Sequence, residues 1–287
     1  MKENKFITVG IPTYNSSKYI DQCLKSVINI IGINEILISD DGSTISELKR
    51  LKEIVLRYRT KFKLDIKLFE TPKNVGAYKN KLKLIENSKN EYIYILDSDN
   101  IASKNLDKII NKVLEEDNPK FLYQPNIMYQ FWDYPKLAKL MSPYNKKYVV
   151  KFFDTNYILN KSITKKLLLQ NSGTYNLKDF RDKLPPVENL EKKLIDKWIF
   201  WILNCGNFIV NKKNMVDIAA AGLKFDRKLL SVDAIVFSYL WLENSFEIKI
   251  LNDFYHHHRK RNDSVSFTES EDSVNAMKYF IDKVLDF

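Results

Sequence analysis

Along the first hundred residues, short apolar runs alternate with apolar positions at helical spacing. Phe6-Ile-Thr-Val-Gly-Ile11 predicts a strand stopped by Pro12 and the polar Thr13-Tyr-Asn-Ser-Ser17. Ile20, Leu24, Val27, Ile28 and Ile31 then recur at the interval of an amphipathic helix. Glu35-Ile-Leu-Ile-Ser39 is a second strand-like run, ending in Asp40-Asp-Gly-Ser43. Ile45 to Tyr58 is helical in pattern, Leu64 to Phe69 strand-like, Asn74-Val-Gly76 a turn and Ala77 to Asn87 a helix. Glu91-Tyr-Ile-Tyr-Ile-Leu96 follows as a buried strand that runs into Asp97-Ser-Asp-Asn100. Strand and helix in alternation predict an α/β fold with a mostly parallel central sheet and right-handed crossovers. The polar ends of the first, second and fourth strands should then share one sheet edge, where open α/β sheets bind ligands.

The second half has a less regular pattern. Leu106 to Glu116 reads as a helix and Phe121 to Tyr129 as a strand. An aromatic-rich segment follows (Tyr129, Phe131, Trp132, Tyr134, Tyr144, Tyr148, Phe152, Phe153), either core or a wall on which sugar rings stack. Beyond Pro185-Pro186, Glu188 to Leu203 is helical in pattern with Trp198 and Trp201, and Gly206-Asn-Phe-Ile-Val210 is strand-like. Ser231 to Glu243 predicts a helix with Asp233 in its first turn, and Phe246 to Ile250 a strand. Phe254 to Ser266 reads as a polar, basic loop and Ser270 to Leu285 as a closing helix. The natural division is 1–103 and 104–287. No repeat or low-complexity linker marks the boundary, so a single domain is equally compatible.

Composition narrows the classes. The 287 residues have the hydrophobic and charged fractions of a globular chain. The formal net charge of +10 suits phosphorylated substrates, an anionic membrane surface or nucleic acid, but the lysines are spread over helical faces. Cys23 and Cys205 are the only cysteines, and both fall in apolar patterns that predict buried, free thiols in a reducing compartment. The start of the chain has no signal-peptide apolar core, and no stretch has the length of a membrane span, so a cytoplasmic location is expected.

The chemistry-bearing residues collect at the predicted strand ends. Asp97 and Asp99 are two apart, so an extended backbone would turn both carboxylates to one side, toward a cation or a cation-bound diphosphate. Solvated loop aspartates, or a helix cap, are the plainer reading of so short a pattern. Asp233 by itself reads as an acid favoured by the helix dipole. The three histidines are consecutive, His256 to His258, and Arg259, Lys260 and Arg261 follow.

Taken together, Val9-Gly-Ile-Pro-Thr-Tyr-Asn15, Ile38-Ser-Asp-Asp-Gly-Ser43, Asn74-Val-Gly76 and Glu91-Tyr-Ile-Tyr-Ile-Leu-Asp-Ser-Asp99 resemble the family 2 glycosyltransferases of the GT-A fold, in order and separation. Gly206 to Val210 is similar to the family's acceptor-side strand, Ser231-Val-Asp233 to its acidic helix start, and Tyr255 to Ser266 to its donor-covering loop. The segment from about 131 to 203 has no counterpart and is expected to be an insertion in an acceptor-side α+β half. Three departures stand out. Asn80-Lys-Leu-Lys-Leu84 occupies the place of the family's Ala-Arg-Asn-x-Gly, Val232-Asp233 that of Glu-Asp, and Asn100 that of a further aspartate.

The resemblance implies a metal-dependent, inverting transfer of a sugar from a nucleotide sugar, with UDP the expected nucleotide, to a hydroxyl of a glycan or lipid-linked acceptor. Surface polysaccharide or glycoconjugate synthesis is the expected setting; the basic surface would suit an acceptor on an anionic lipid carrier, peripheral contact with an anionic membrane stays open, and no nucleic-acid partner is expected. Asp99, Asp97 and His258, with His256 the alternative, would serve a Mn²⁺ or Mg²⁺ ion, and Asp233 would be the base. Pro12, Tyr14, Asn15, Asp40 and Asp41 would form the nucleoside pocket, Asp41 meeting the base and Asp40 orienting the turn. Asn74 and Lys81 would shape that pocket, while Ser98, Asp97 and Arg259 would meet the sugar and diphosphate. The alternatives are a nucleotidyltransferase, which Ile11-Pro-Thr-Tyr-Asn15 disfavours because it is no glycine-rich phosphate loop, and a degenerate GT-A scaffold that only binds.

Overall fold

A computed structural model describes residues 5–132, 148–170, 203–260 and 271–287. The first half contains β1 (Ile7–Thr13), α1 (Ser17–Val27), β2 (Ile33–Asp40), α2 (Ile45–Lys61), β3 (Asp65–Glu70), α3 (Ala77–Asn87) and β4 (Tyr92–Ile95). Then come β5 (Ile101–Ala102), α4 (Leu106–Glu116), β6 (Phe121–Trp132), β7 (Tyr148–Lys151), β8 (Tyr157–Leu159) and α5 (Lys161–Gln170). The last part holds β9 (Phe208–Asn211), α6 (Lys212–Gly222), a 3₁₀ turn (Leu229–Val232), α7 (Asp233–Glu243), β10 (Glu247–Lys260) and α8 (Glu271–Leu285).

Among the described residues the strands form one sheet in the order β3-β2-β1-β4-β9-β6-β10-β5, with β7 on β6 and β8 on β10. The four strands of the first half are parallel. Beyond β4 the sheet is mixed: β9 runs antiparallel to β4 and β6, whereas β6 and β10 are parallel. The sheet is thus continuous across position 103. Alternation along the strands feeds two cores. Ile36, Ile38, Tyr92 and Tyr94 face α1, α2 and α4, while Leu37, Ile93 and Ile95 face α3, α6, α7 and α8.

Local signals account for several boundaries. Thr44 caps α2 by accepting the Glu47 backbone N–H, and Asn211 caps α6 through Asn214. The Glu47 carboxylate accepts from the Ser17 backbone N–H instead of closing a capping box, which ties the starts of α1 and α2 together. Pro12 does not end β1. Beyond the Gly10↔Ile95 pair β4 no longer flanks the strand, and Pro12 points to that vacated side, so its missing N–H removes no ladder bond. Ile31 lies past the end of α1, beside the turn at Gly32, and is 78% exposed instead of helix core.

The largest departure from expectation is the basic segment after Phe254, which up to Lys260 is strand and not loop. It finds ladder partners on both sides, Ile127 to Trp132 of β6 and Ile101 and Ala102 of β5. His256 and Arg259, three apart and so on opposite faces of the strand, are both buried there. Phe152 is core, as are the thiols of Cys23 and Cys205. Tyr134, Tyr144, the proline pair, Trp198, Trp201 and the expected loop tip from Arg261 to Ser266 lie outside the described residues.

Candidate active site

The C-terminal ends of β1, β2 and β4 meet as the alternating pattern predicts. After β1, Asn15 takes a left-handed φ of 47°, which asparagine tolerates. Its backbone N–H donates to the Ser43 hydroxyl at 2.8 Å, and its side-chain oxygen accepts from the Thr44 N–H at 3.0 Å. Asp40 accepts from the backbone N–H and hydroxyl of Ser43, so it orients the turn. Both oxygens of Asp41 are also engaged: they accept the backbone N–H groups of Val75 at 2.8 Å and Gly76 at 3.0 Å. Burial nevertheless holds the Asp41 carboxyl above its ordinary range. These bonds pin the Asn74 turn against β2, with Tyr14 half-exposed at the lip. Arg227, which no sequence pattern singled out, reaches the Asn74 carbonyl at 3.5 Å.

Past β4 the backbone does not stay extended. The Asn100 N–H donates to the Asp97 carbonyl at 2.9 Å, closing a turn over Ser98 and Asp99, so strand alternation does not govern where the two aspartates point. The Ser98 hydroxyl turns inward, 2.8 Å from that of Ser16, which is in turn 2.8 Å from that of Thr13. This chain of hydroxyls couples the end of β1 to the acidic turn. Asn207, just before β9, accepts the Asp97 N–H at 2.9 Å.

Lys81, at the middle of α3, lies between the two candidate halves. Its ammonium is 2.9 Å from Asp97 Oδ1 and 2.7 Å from Asp233 Oδ2, with its side chain only 4% exposed. Burial opposes its charge, but the carboxylates of Asp233 and Asp97 outweigh that and raise its pKa above the ordinary lysine value. Around it the departures from Ala-Arg-Asn-x-Gly are absorbed by packing: Leu82 and Leu84 are core, and the Asn80 amide donates to the Ser39 carbonyl at 3.0 Å.

β10 runs along the other flank of the acidic turn. His256 pairs with Ala102 and His257 with Ile101, and the next part of β10 lies against the turn, with Arg259 bonded to both Asn100 and Asp99. His256 is buried with Nδ1 unpartnered, and burial, then His258 and His257, hold its pKa well below the ordinary histidine value. Arg259 is buried too. Its Nε donates to the Asp99 carbonyl at 3.1 Å, its backbone N–H to the Asn100 side chain at 3.1 Å, and its Nη2 to Gln22. The guanidinium lies 4.7 Å from the Tyr19 ring centre and 4.6 Å from that of Phe131. These partners make it a brace behind the turn, where the sequence suggested a cover over a diphosphate. Among the described residues, no three His, Cys, Asp or Glu side chains are grouped as a metal ion requires.

Comparison with known proteins decides the family. The family described as Glycosyl transferase family 2 matches residues 8–177, more than half of the chain. The chain belongs to glycosyl transferase family 2. Among relatives of this family, glycosyltransferase GlyG of Streptococcus pneumoniae is 28% identical over 114 residues, covering 39% of this chain and 36% of that protein. Glycosyltransferase SunS of Bacillus subtilis is 37% identical over 116 residues, covering 38% and 24%. The chain therefore aligns with well under half the length of either relative. In structure it is similar to S. aureus TarS in complex with UDP-GlcNAc, with a TM-score of 0.62 at 18% identity, covering 98% of this chain and 70% of that one. GalNAc-T7 with UDP, GalNAc and Mn²⁺ gives 0.60 at 11% identity, covering 98% and 48%. The fold of this family 2 chain is accordingly GT-A, with the Asp97–Asp99 turn at the edge of its parallel half.

Proposed function

We propose that the chain is a metal-dependent, inverting glycosyltransferase that moves a sugar from a UDP-sugar to a hydroxyl of a glycan or lipid-linked acceptor. The observation that carries this reading is the meeting of Asp97 and Asp233 on one buried ammonium, which brings a donor-side and an acceptor-side acid into one site. The UDP ligands of TarS and GalNAc-T7 support the choice of nucleotide.

Transfer needs charge compensation on the departing diphosphate, a proton acceptor for the hydroxyl, and both partners held in line. Pro12, Tyr14, Asn15, Asp40, Asp41 and Asn74 would wall the nucleoside pocket, with the Tyr14 ring available for stacking. Asp41 would accept the uracil N–H through lone pairs left over from its two backbone bonds. Asp99 and His258 would hold the metal; a hard carboxylate and an imidazole on adjoining segments fit Mn²⁺ or Mg²⁺. Bound there, the ion would act as a Lewis acid on the leaving phosphate. Asp97 and the Ser98 backbone would face the ribose and the sugar.

As the acceptor oxygen bonds to the anomeric carbon, the bond from that carbon to the phosphate oxygen breaks on the opposite face. Asp233 takes the hydroxyl proton. A carboxylate is a weak base for an alcohol, yet the hydroxyl becomes acidic as its oxygen bonds to carbon, so a late proton transfer suffices. Among the described residues no helix is long and apolar enough to cross a membrane. A lipid-linked acceptor would be met from a cytoplasmic, peripheral position, which the +10 charge favours.

The test is UDP release from a panel of nucleotide sugars, beginning with UDP-N-acetylhexosamines, in Mn²⁺ or Mg²⁺, by the wild type and Asp99→Ala. Release that depends on both metal and Asp99 supports the reading. No release from any donor, or equal release by the variant, overturns it. Full activity on a soluble, lipid-free acceptor would remove the lipid-carrier part.

A further inference from the structure

Lys81 enters the site from a helix whose neighbouring positions, Leu82, Leu84 and Ile85, are core. An ammonium this far from water is tolerable only with its charge and all its protons matched. Two carboxylate oxygens stand at ion-pair distance from it, Asp97 Oδ1 and Asp233 Oδ2, and it donates to the Gly206 carbonyl at 3.2 Å. Its charge is thus already matched by protein carboxylates.

Gly206 forms the floor of this cluster. A Cβ there would stand 2.8 Å from Asp97 Oδ2 and 3.1 Å from Lys81 Nζ, so any side chain would press on the ion pairs. The three charged groups come from α3, the turn after β4 and the first residue of α7. Their separation in sequence means that the ammonium joins the nucleotide-side half of the sheet to the acceptor-side helix. With Asp233 Oδ2 held by Lys81, Oδ1 is the oxygen left to meet an incoming hydroxyl.

We propose that Lys81 is a positioning residue that clamps Asp233 to Asp97 and fixes the direction of the Asp233 carboxylate, without itself touching the donor. The proposal rests on the transferase reading above. Without the ammonium, the Asp233 carboxylate would lose its counter-charge and turn away from Asp97, whose backbone stays held by Asn207. The transfer step would slow while the nucleotide pocket, built on β1, β2 and the Asn74 turn, stays intact.

The experiment is steady-state kinetics of Lys81→Met on the active donor, with UDP affinity measured by calorimetry. Misplacing one catalytic group by about 1 Å lowers kcat on the order of 100-fold, and that loss is expected with donor KM and UDP Kd within about threefold of wild type. Gly206→Ala, which keeps the lysine but lifts the floor, should show the same kcat-selective loss if Lys81→Met folds poorly. Lys81→Arg, which keeps a cation at this place, should regain at least about tenfold in kcat over Lys81→Met. A variant that keeps kcat but loses donor KM or UDP affinity would make Lys81 a donor contact and overturn the proposal. An active wild type matched in every constant by Lys81→Met would overturn it alone. A wild type that turns over no donor would remove the transferase reading, and the positioning role with it.

Discussion

Gly42, in the turn after β2, offers a sharp test of how the nucleoside pocket is built. It has a φ of +71°, and a Cβ on it would lie 2.6 Å from the Lys73 carbonyl carbon and 2.7 Å from the Asn74 nitrogen. Two separate penalties follow for Gly42→Ala. Holding an L-residue in the left-handed region costs about 1–2 kcal/mol. The overlap is with backbone, so residues 73 and 74 must retreat by roughly 0.8 Å to reach ordinary contact, an overpacking term of about 1–3 kcal/mol. The sum, about 2–5 kcal/mol, would lower the melting temperature by very roughly 5–15 °C in a chain of this size. The retreat also drags the Val75 and Gly76 N–H groups away from Asp41, so UDP affinity should fall in parallel. Urea denaturation and calorimetric UDP titration measure the two effects. Gly42→Asn separates the causes, because asparagine tolerates the left-handed region but still carries the Cβ. If Gly42→Asn came within about 1 kcal/mol of wild type, the overlap reasoning would be refuted and only the backbone term would remain.

Two further predictions address parts of the molecule away from the pocket. Glu35 is fully buried at the opposite end of the strands, where its carboxylate accepts from the Thr8 hydroxyl and the Lys89 N–H and pairs with Lys67. Glu35→Gln sets an amide N–H against one of these donors and should cost about 1–3 kcal/mol in urea denaturation, leaving UDP affinity unchanged; a matching loss of UDP affinity would contradict this placement. Burial pushes the Cys205 thiol up to about 12 from an ordinary 9.0. Because its folded pKa is the higher one, its contribution is complete below pH 9 and is lost as pH rises toward 12. Stability should therefore fall across that window, and Cys205→Ala should make the fall shallower by about 1.4 kcal/mol per pH unit; identical slopes would argue against a buried thiol.

The parallel half was legible because each of its signals is local. An apolar run gives a strand, a polar stop gives its end, and alternation with helices dictates that the ends share an edge. Even so, alternation failed at Asp97 and Asp99, where the Asn100 N–H bends the chain two residues after β4 ends. The basic stretch after Phe254 was misread for a related reason. Polar composition argues for a loop only when the backbone lacks partners, and here β6 and β5 supply them on both sides. Three consecutive histidines carry no alternation of residue type, so nothing in their order marked the strand.

Lys81 and Arg259 show why charge could be counted from the sequence but not assigned. In the chain they are two of 46 basic residues, and the natural inference is that a cation near an acidic motif faces the anionic ligand. In the fold both are buried with their donors directed at protein. Lys81 holds the carboxylates of Asp97 and Asp233, and Arg259 holds the Asp99 carbonyl between two aromatic rings. Each contact joins residues more than a dozen positions apart: the Arg259 bonds depend on β10 being laid beside β5, and the Lys81–Asp233 pair on α7 being packed against α3. One cation therefore sets where the acids of the turn and helix point, and the other holds the turn itself. On the proposed reading, the positive charge that compensates a departing diphosphate would come from a metal on Asp99 and His258, so loss of Asp99 should abolish metal-dependent UDP release while loss of Lys81 should leave UDP binding intact.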